Sequence, residues 1–499
     1  MLLRSILGFA PANILPALTT VAIIVVFTRV MPPDQFGWYA VAQAAVLIAQ
    51  ALAFGGLQLA VTRYHAARQE AGELPALLAT AYASFLVLAA LVTVLAAGAI
   101  LLLAPEPALA AVLWAALPLL LLRGLVALNQ AVHRGALAIR RYNLVEAVQS
   151  LAGLAMALLL ALALDLGAVG LVLGLAAGSL LAALGDAGLI ARHLGWPDSA
   201  CLREVRRYAL PLMASYGLAA LIVHVDRLFL ERLAGPEATA LYAVAFGIVD
   251  RPVTLVFMAV NLAAFPLAID HLERQGVAAA RAQLLRTATI LLALAVPAVV
   301  GLACVARPLA AVLVGEAYRP GVVALLPWLA GLALLRGMGT HYLDHAIHLA
   351  GRTGLFLWTL GPPAVASLLL NPLLIPAFGL AGALATAFVA QLAVLALTAL
   401  IGRRVFPIGF PVAQAWRTGA AAAVMAAVLV ATPVPPTALG LALAVPLGLL
   451  VYAAAALLLD AAHVRTTAAA WLRSRLASRR DSVALDSGLS NLLSLGKIR

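Results

Sequence analysis

Fourteen runs of about 20 apolar residues, separated by short polar breaks, leave this chain little choice of fold. As a helix, each run is long enough to cross a hydrocarbon core about 30 Å thick. Open strands would strand backbone N–H and C=O groups in lipid, so the runs must be helical. The expected spans are 6–29, 38–62, 76–103, 108–131, 143–164, 168–190, 209–231, 239–265, 285–305, 322–347, 354–376, 379–401, 415–432 and 438–459. Only 10% of the residues are charged, against about 25% in a soluble domain. The sequence therefore describes an all-α polytopic membrane protein.

Lys and Arg number 32 against 20 Asp and Glu. In a soluble protein that excess would point to nucleic acid, but here the cations sit in short loops and report topology, so no nucleic-acid partner is expected. With the N-terminus cytoplasmic, the cytoplasmic loops and ends collect 24 of the 32. The opposite side collects Arg29, Arg232, Arg307 and Arg319. This is the positive-inside pattern, and an even span count puts both termini inside. Arg4 precedes an apolar run with no small-residue cleavage site, which reads as an uncleaved first helix. Past Asp460, Trp471, Leu472 and Leu476 alternate with Arg473, Arg475, Arg479 and Arg480. That mix suits either a helix lying on an anionic leaflet or a basic tail that only sets topology.

The stretch Arg29 to Ala42 returns 203 residues later as Arg232 to Ala245, matching Pro33 with Pro236, Asp34 with Glu237 and Tyr39-Ala40-Val41-Ala42 with Tyr242-Ala243-Val244-Ala245. Leu121-Leu122-Arg123-Gly124 returns as Leu334-Leu335-Arg336-Gly337. Six spans precede the basic linker near 192–208 and six follow it before the last two, so the halves start on the same side and form parallel repeats, an arrangement familiar in transporters. The expected division is a six-helix lobe over 1–195, a second over 196–405, two additional spans over 406–460 and a basic cytoplasmic tail over 461–499.

Four arginines, Arg123, Arg227, Arg251 and Arg336, fall inside spans. An arginine at the centre of a helix costs about 2.5–3.5 kcal/mol on insertion scales, so such residues face a polar cavity or a partner. Arg123 and Arg336 occupy matched places and would meet in one cavity if the halves face each other. Several guanidinium groups suit an anion, and their planar fork fits phosphate. The alternative is structural pairing with Asp226, Asp250 or Glu231. Adjacent helical residues point about 100° apart, so Asp226-Arg227 and Asp250-Arg251 are each expected to look to another helix or to water. Asp226, Asp250 and His224 are candidates for ion coupling. His341, His345 and His348 share a helical face near Asp344 and read as lining the inner mouth of a cavity rather than as metal ligands. Gly170, Gly174 and Gly178 make a smooth packing strip. Prolines within spans, among them Pro118, Pro252, Pro297, Pro327 and Pro362, permit bends. Cys201 and Cys304 have no metal or disulfide spacing. No phosphate-binding loop or nucleophile motif is present, so neither a cofactor nor ATP hydrolysis is expected.

The pattern Arg29-x-x-x-Pro33-x-x-Phe36-Gly37-x-Tyr39-Ala40, followed by Gly55-Gly56-Leu57 and Arg63-Tyr64, resembles the start of the polysaccharide flippases of the multidrug/oligosaccharidyl-lipid/polysaccharide exporter superfamily. The motif covers the first two spans and, more weakly, the seventh and eighth. The resemblance implies two MATE-like lobes around a central cavity and alternating access. It also implies transfer of undecaprenyl-pyrophosphate-linked oligosaccharide across a bacterial inner membrane, with membrane lipids, a polysaccharide polymerase and glycosyltransferases as partners. A lipid II flippase or multidrug antiporter of the same fold is the alternative. Against the drug branch, spans one to five carry no acid in their middles. A polyprenyl-sugar glycosyltransferase or polymerase would need acids on a large outer loop, and the loops are short. Topology is directly testable: a reporter active only in the periplasm should be silent when fused after Arg207 or Arg480 and active near Pro33 or Pro236. Activity at Arg480 would contradict an even number of spans.

Overall fold

The computed structural model describes residues 10–466, and these form helices joined by short turns, with no β-strand among them. In chain order the first half comprises α1 (Ala10–Val30), α2 (Pro33–Glu70), α3 (Leu74–Leu103), α4 (Pro107–Gly135), α5 (Ile139–Leu158, extended by a π turn over Leu159–Ala163) and α6 (Gly167–Gly185). A short α7 (Ala187–His193) leads to α8 (Ser199–Ala234), α9 (Pro236–Gln275), α10 (Val277–Cys304) and the short α11 (Ala306–Leu313). Then come α12 (Arg319–Met338), a π turn over Gly339–Leu343, the short α13 (His345–Leu349), α14 (Phe356–Phe378), α15 (Leu380–Val405), α16 (Val412–Ala431) and α17 (Ala438–Leu459). Thirteen helical segments among the described residues are long and apolar enough to span a membrane. With α1, apolar through Val30, they correspond to the fourteen expected spans. The tail residues Trp471 to Arg480 and the N-terminal Arg4 lie outside the described residues.

Three details differ from the sequence reading. The sixth span ends at Gly185, short of 190, because Asp186 is held by two neighbours: His133 Nε2 at 2.9 Å and Arg141 Nε at 2.9 Å. The tenth span is a regular helix only to Met338, after which it widens into the π turn. The connection around 306–321 is folded, holding α11 and a 3₁₀ turn at Glu316–Tyr318. The prolines named above sit within helices that continue through them.

The halves repeat one another in packing as well as in sequence. α2 packs on α4 as α9 packs on α12, α5 on α6 as α14 on α15, and α1 on α5 as α8 on α14. A Cβ at Gly124 would lie 2.7 Å from the Phe54 ring, and one at Gly337 would lie 2.1 Å from the Phe257 ring. Phe54 and Phe257 are 203 residues apart, the offset of the longer motif. α16 and α17 pack on each other and on α10, with the Tyr452 hydroxyl donating to the Ala293 carbonyl at 2.7 Å.

Lipid tails are as apolar as leucine, so helices here associate through close van der Waals contact, for which small residues are needed. α2 runs along α8 in this way: a Cβ would lie 2.2 Å from the Ala209 carbonyl oxygen at Gly56 and 2.0 Å from the Leu52 side chain at Gly217. The seam ends in Arg63 over the Tyr208 ring at 4.9 Å and in an ion pair between Arg68 and Glu204. At its other end, the two copies of the repeated motif touch, a Cβ on Gly37 falling 2.0 Å from the Pro236 carbonyl oxygen. The end of α1 is clasped there too. The Gly315 N–H donates to Thr28 Oγ1, and the Tyr318 hydroxyl donates to the Met31 carbonyl, both at 3.0 Å. Arg29 Nη2 donates to the Val312 carbonyl at 2.5 Å.

The glycine strip on α6 meets α5, where a Cβ on Gly178 would lie 2.3 Å from Gly153 Cα. Gly178→Leu should therefore force α5 and α6 apart and cost at least the ~1–3 kcal/mol of core overpacking. The expected result is a lowered thermal midpoint in detergent. Gly98→Leu, where an added Cβ meets nothing within 4 Å, should leave the midpoint unchanged.

Candidate substrate cavity

A cavity of about 420 Å³ lies between the halves. α1 and α2 supply one wall, with Thr20, Tyr39 and Gln43; α8, α9 and α12 supply the other, with His224, Arg227, Phe246, Asp250, Arg251 and Arg336. α2 and α9 begin in contact at Gly37 and Pro236 and then form opposite walls, so the cavity lies directly behind the clasped end.

The four intramembrane arginines divide into two kinds. Arg336 forms an ion pair across helices with Asp250, both side chains about four-fifths buried at 18% and 23% exposure. Arg227 is buried, its Nη1 donating to His224 Nδ1 at 2.8 Å and to the Val223 carbonyl at 3.2 Å. Both guanidinium groups lie over Phe246, Arg227 at 4.2 Å and Arg336 at 5.1 Å from its centroid. The negative face of that ring is attractive to both cations. Arg123 and Arg251, by contrast, form no ion pair and no hydrogen bond among the described residues.

Arg123 does not open into the central cavity. It lines a second pocket of about 220 Å³ inside the first half, and Thr20, Ile23, Tyr39, Gln43 and Arg251 line both spaces. The expected meeting of Arg123 and Arg336 is thus replaced by two neighbouring compartments that share wall residues, Arg251 among them. Glu231, one of the alternative partners, forms no ion pair with Arg227 among the described residues. Asp226 and Arg227, though adjacent, do approach each other, at 3.8 Å between Oδ1 and Nη1. The same oxygen accepts from the Arg227 backbone N–H at 2.8 Å, and the carboxylate also bonds the buried Tyr242 hydroxyl. The carboxylate thereby folds back on its own helix, which the 100° rule for straight side chains does not anticipate. Asp226 lies behind the central cavity, whereas Asp250 and His224 line it.

The histidines take three different environments. His341 lines the central cavity and stacks on Phe257 at 5.6 Å. His345 stacks on Phe265 at 4.5 Å, and His348 packs against Phe356 at 4.9 Å beside a pocket in the second half. They do not form one mouth.

Sequence reasoning centred on charge missed the uncharged lining. Tyr39, Gln43 and Gln50, at i, i+4 and i+11, share a face of α2, and Glu146, Gln149 and Ser150 share a face of α5; all six line the first-half pocket. The signal was present as polar residues at helical spacing within apolar runs. Glu146 also qualifies the reading that spans one to five lack a central acid. It sits near the basic end of α5, yet it turns into this pocket, where Gln130 Nε2 donates to it at 2.5 Å.

The fold is similar to that of lipid II flippase MurJ in an inward closed conformation, with a TM-score of 0.75 at 11% identity, covering 91% of this chain and 98% of that chain. An inward-facing multidrug resistance MATE family transporter of the MOP superfamily gives 0.57 at 15% identity, covering 78% of this chain and 97% of that one. The eukaryotic MATE transporter AtDTX14 gives 0.57 at 13% identity, with 84% and 97% covered. At these identities the likeness is one of fold. No curated protein matches the chain by sequence. A family model described as polysaccharide biosynthesis protein matches residues 2–270, more than half of the chain, and the chain belongs to that family.

Proposed function

We propose that this protein is a flippase that carries undecaprenyl-pyrophosphate-linked oligosaccharide from the inner to the outer leaflet of the bacterial inner membrane, for cell-surface polysaccharide. The observation that carries this reading is the cavity between the halves, lined by Arg227, Arg251 and Arg336 and lying directly behind the clasped end. A pyrophosphate entering it would meet guanidinium forks suited to bidentate binding, while the polyprenyl chain stays in the bilayer. The residues 1–195 and 196–405 act as the two lobes, exposing the cavity alternately to each side, and both termini face the cytoplasm. The protein transports its cargo without making or breaking a covalent bond. A polymerase and glycosyltransferases would supply and consume the cargo.

Outward movement of a negative headgroup down an inside-negative potential is favoured by about 2.3 kcal/mol per charge per 100 mV. The potential thus supplies drive without a nucleotide. Asp226, Asp250 and His224 enter the cycle only if protons or sodium ions are counter-transported.

The Arg336–Asp250 pair makes the test sharper than a single alanine variant. Arg336→Ala should reduce glycan export roughly 10–100-fold, the worth of a charge-assisted hydrogen bond, and Arg336→Lys should restore it only partly because lysine lacks the fork. The double variant Asp250→Asn/Arg336→Gln replaces the ion pair with neutral partners. If Arg336 binds phosphate, the double variant exports as poorly as Arg336→Ala; export at the wild-type level would assign Arg336 to structure alone.

Glu146 favours one other reading, a cation-exporting antiporter, because an acid in the first half would attract a positively charged drug. Raised resistance to cationic drugs in a sensitive host, with unaltered surface glycan on deletion, would establish that reading in place of the flippase. In proteoliposomes the flippase should move the lipid-linked sugar faster when an inside-negative potential is imposed. Rates raised by ATP and indifferent to potential, pH gradient and sodium gradient would refute the mechanism.

A further inference from the structure

The pocket around Arg123 has a counterpart. The second half holds a pocket of about 220 Å³ between α8, α12, α14 and α15, the helices that correspond to α1, α4, α5 and α6 of the first half. Each pocket carries the matched arginine in its wall, Arg123 in one and Arg336 in the other. The remaining linings have diverged. The second-half pocket mixes apolar side chains such as Leu212, Ile222, Leu360 and Val394 with Ser215, Asp344, His348 and a single glutamine, Gln391. The first-half pocket carries four glutamines, Gln43, Gln50, Gln130 and Gln149, with Ser150 and Glu146.

Uncharged polar groups are costly inside a membrane unless something hydrogen-bonds them. Part of this lining satisfies itself. Glu146 accepts from Gln130 at 2.5 Å and from Ser150 Oγ at 3.3 Å, and Gln149 Nε2 donates to Ser179 Oγ at 3.1 Å. Part does not. Gln43 Oε1 is buried without a partner, and Gln50 forms no hydrogen bond among the described residues. Gln149 has used one donor and Ser150 its hydroxyl hydrogen, so both keep acceptor capacity, and with Gln43 and Gln50 they line the pocket. An amide offers two donors and an acceptor with two lone pairs, which matches a ring bearing several hydroxyl groups.

We propose that this first-half pocket is a carbohydrate subsite, holding the sugar next to the pyrophosphate through Gln43, Gln50, Gln149 and Ser150 while the pyrophosphate stays with Arg251 and Arg336. The proposal rests on the flippase reading and adds to it the place and chemistry of sugar recognition. Arg251, lining both spaces, stands where the sugar–phosphate bond would cross between them. The volume is below the ~300–1,000 Å³ of a site for a drug-sized ligand, so the pocket reads one ring and leaves the distal glycan in the larger cavity.

The test uses the full-length protein in nanodiscs and measures affinity for four probes: a short-chain polyprenyl pyrophosphate, and the same lipid carrying N-acetylglucosamine, glucose or galactose. The wild-type protein should bind at least one sugar-bearing lipid more tightly than the bare lipid, by roughly two- to tenfold for each hydrogen bond gained. Gln50→Leu and Gln149→Leu should each shrink that preference and leave affinity for the bare lipid unchanged, whereas Arg336→Ala should weaken all four probes alike. Gln50→Leu breaks no hydrogen bond of the resting protein, so a loss of preference in this variant cannot be assigned to misfolding. If the bare lipid binds but no sugar adds affinity, or if both glutamine variants keep the wild-type preference, the subsite is overturned and the flippase reading stands. Failure of the wild-type protein to bind any of the four probes would overturn both.

Discussion

Helices in a bilayer gain little from hiding apolar surface from one another, because lipid serves as well as leucine. What holds this bundle in one arrangement is close backbone approach, and the glycines that permit it sit at the joints on which everything else depends. Gly178 against Gly153 fixes the α5–α6 pair, and Gly56 and Gly217 set α2 against α8. Gly37 against Pro236 joins the two copies of the repeated motif. The cavity exists because α2 and α9 touch at that point and then diverge.

The charges inside this frame are distributed by whether they have partners. Burying an ion pair is roughly neutral against an apolar alternative, while removing one member leaves an expensive orphan. Arg336 with Asp250, and Arg227 with His224 and Asp226, are ties that also present positive charge to the cavity. Arg123 and Arg251 lack such ties and line the first-half pocket, Arg251 lining the cavity as well. A site built this way has both rigid cations, whose position the protein sets, and free ones, whose position an anion can set.

The spans were legible because a membrane imposes a length on them. The repeat was legible at Arg29 and Arg232 and at Arg123 and Arg336, but its packing counterpart was not. The Phe54–Gly124 and Phe257–Gly337 contacts join residues of differing offset, 203 for the aromatics and 213 for the glycines. The break at Asp186 was hidden in an apolar run, since what ends the helix there is a pair of partners 53 and 45 residues away in sequence. Asp250 and Arg336 were both singled out from the sequence, yet their pairing, across 86 residues, needs the fold. The amide lining escaped notice because one glutamine in a hydrophobic run reads as tolerated; its weight appears only when two helices turn such residues toward the same space.

The α2–α8 seam also limits how the two halves can move. Backbone meets backbone at Gly56, and a side chain fills the notch at Gly217. Sliding one helix past the other by a residue would drive a larger side chain into a gap that admits only hydrogen. Translation along this line is therefore barred, and the Arg68–Glu204 ion pair at one end adds a further restraint. Rotation about it asks for no such clash. The seam serves as a book's spine, and the two halves are its covers.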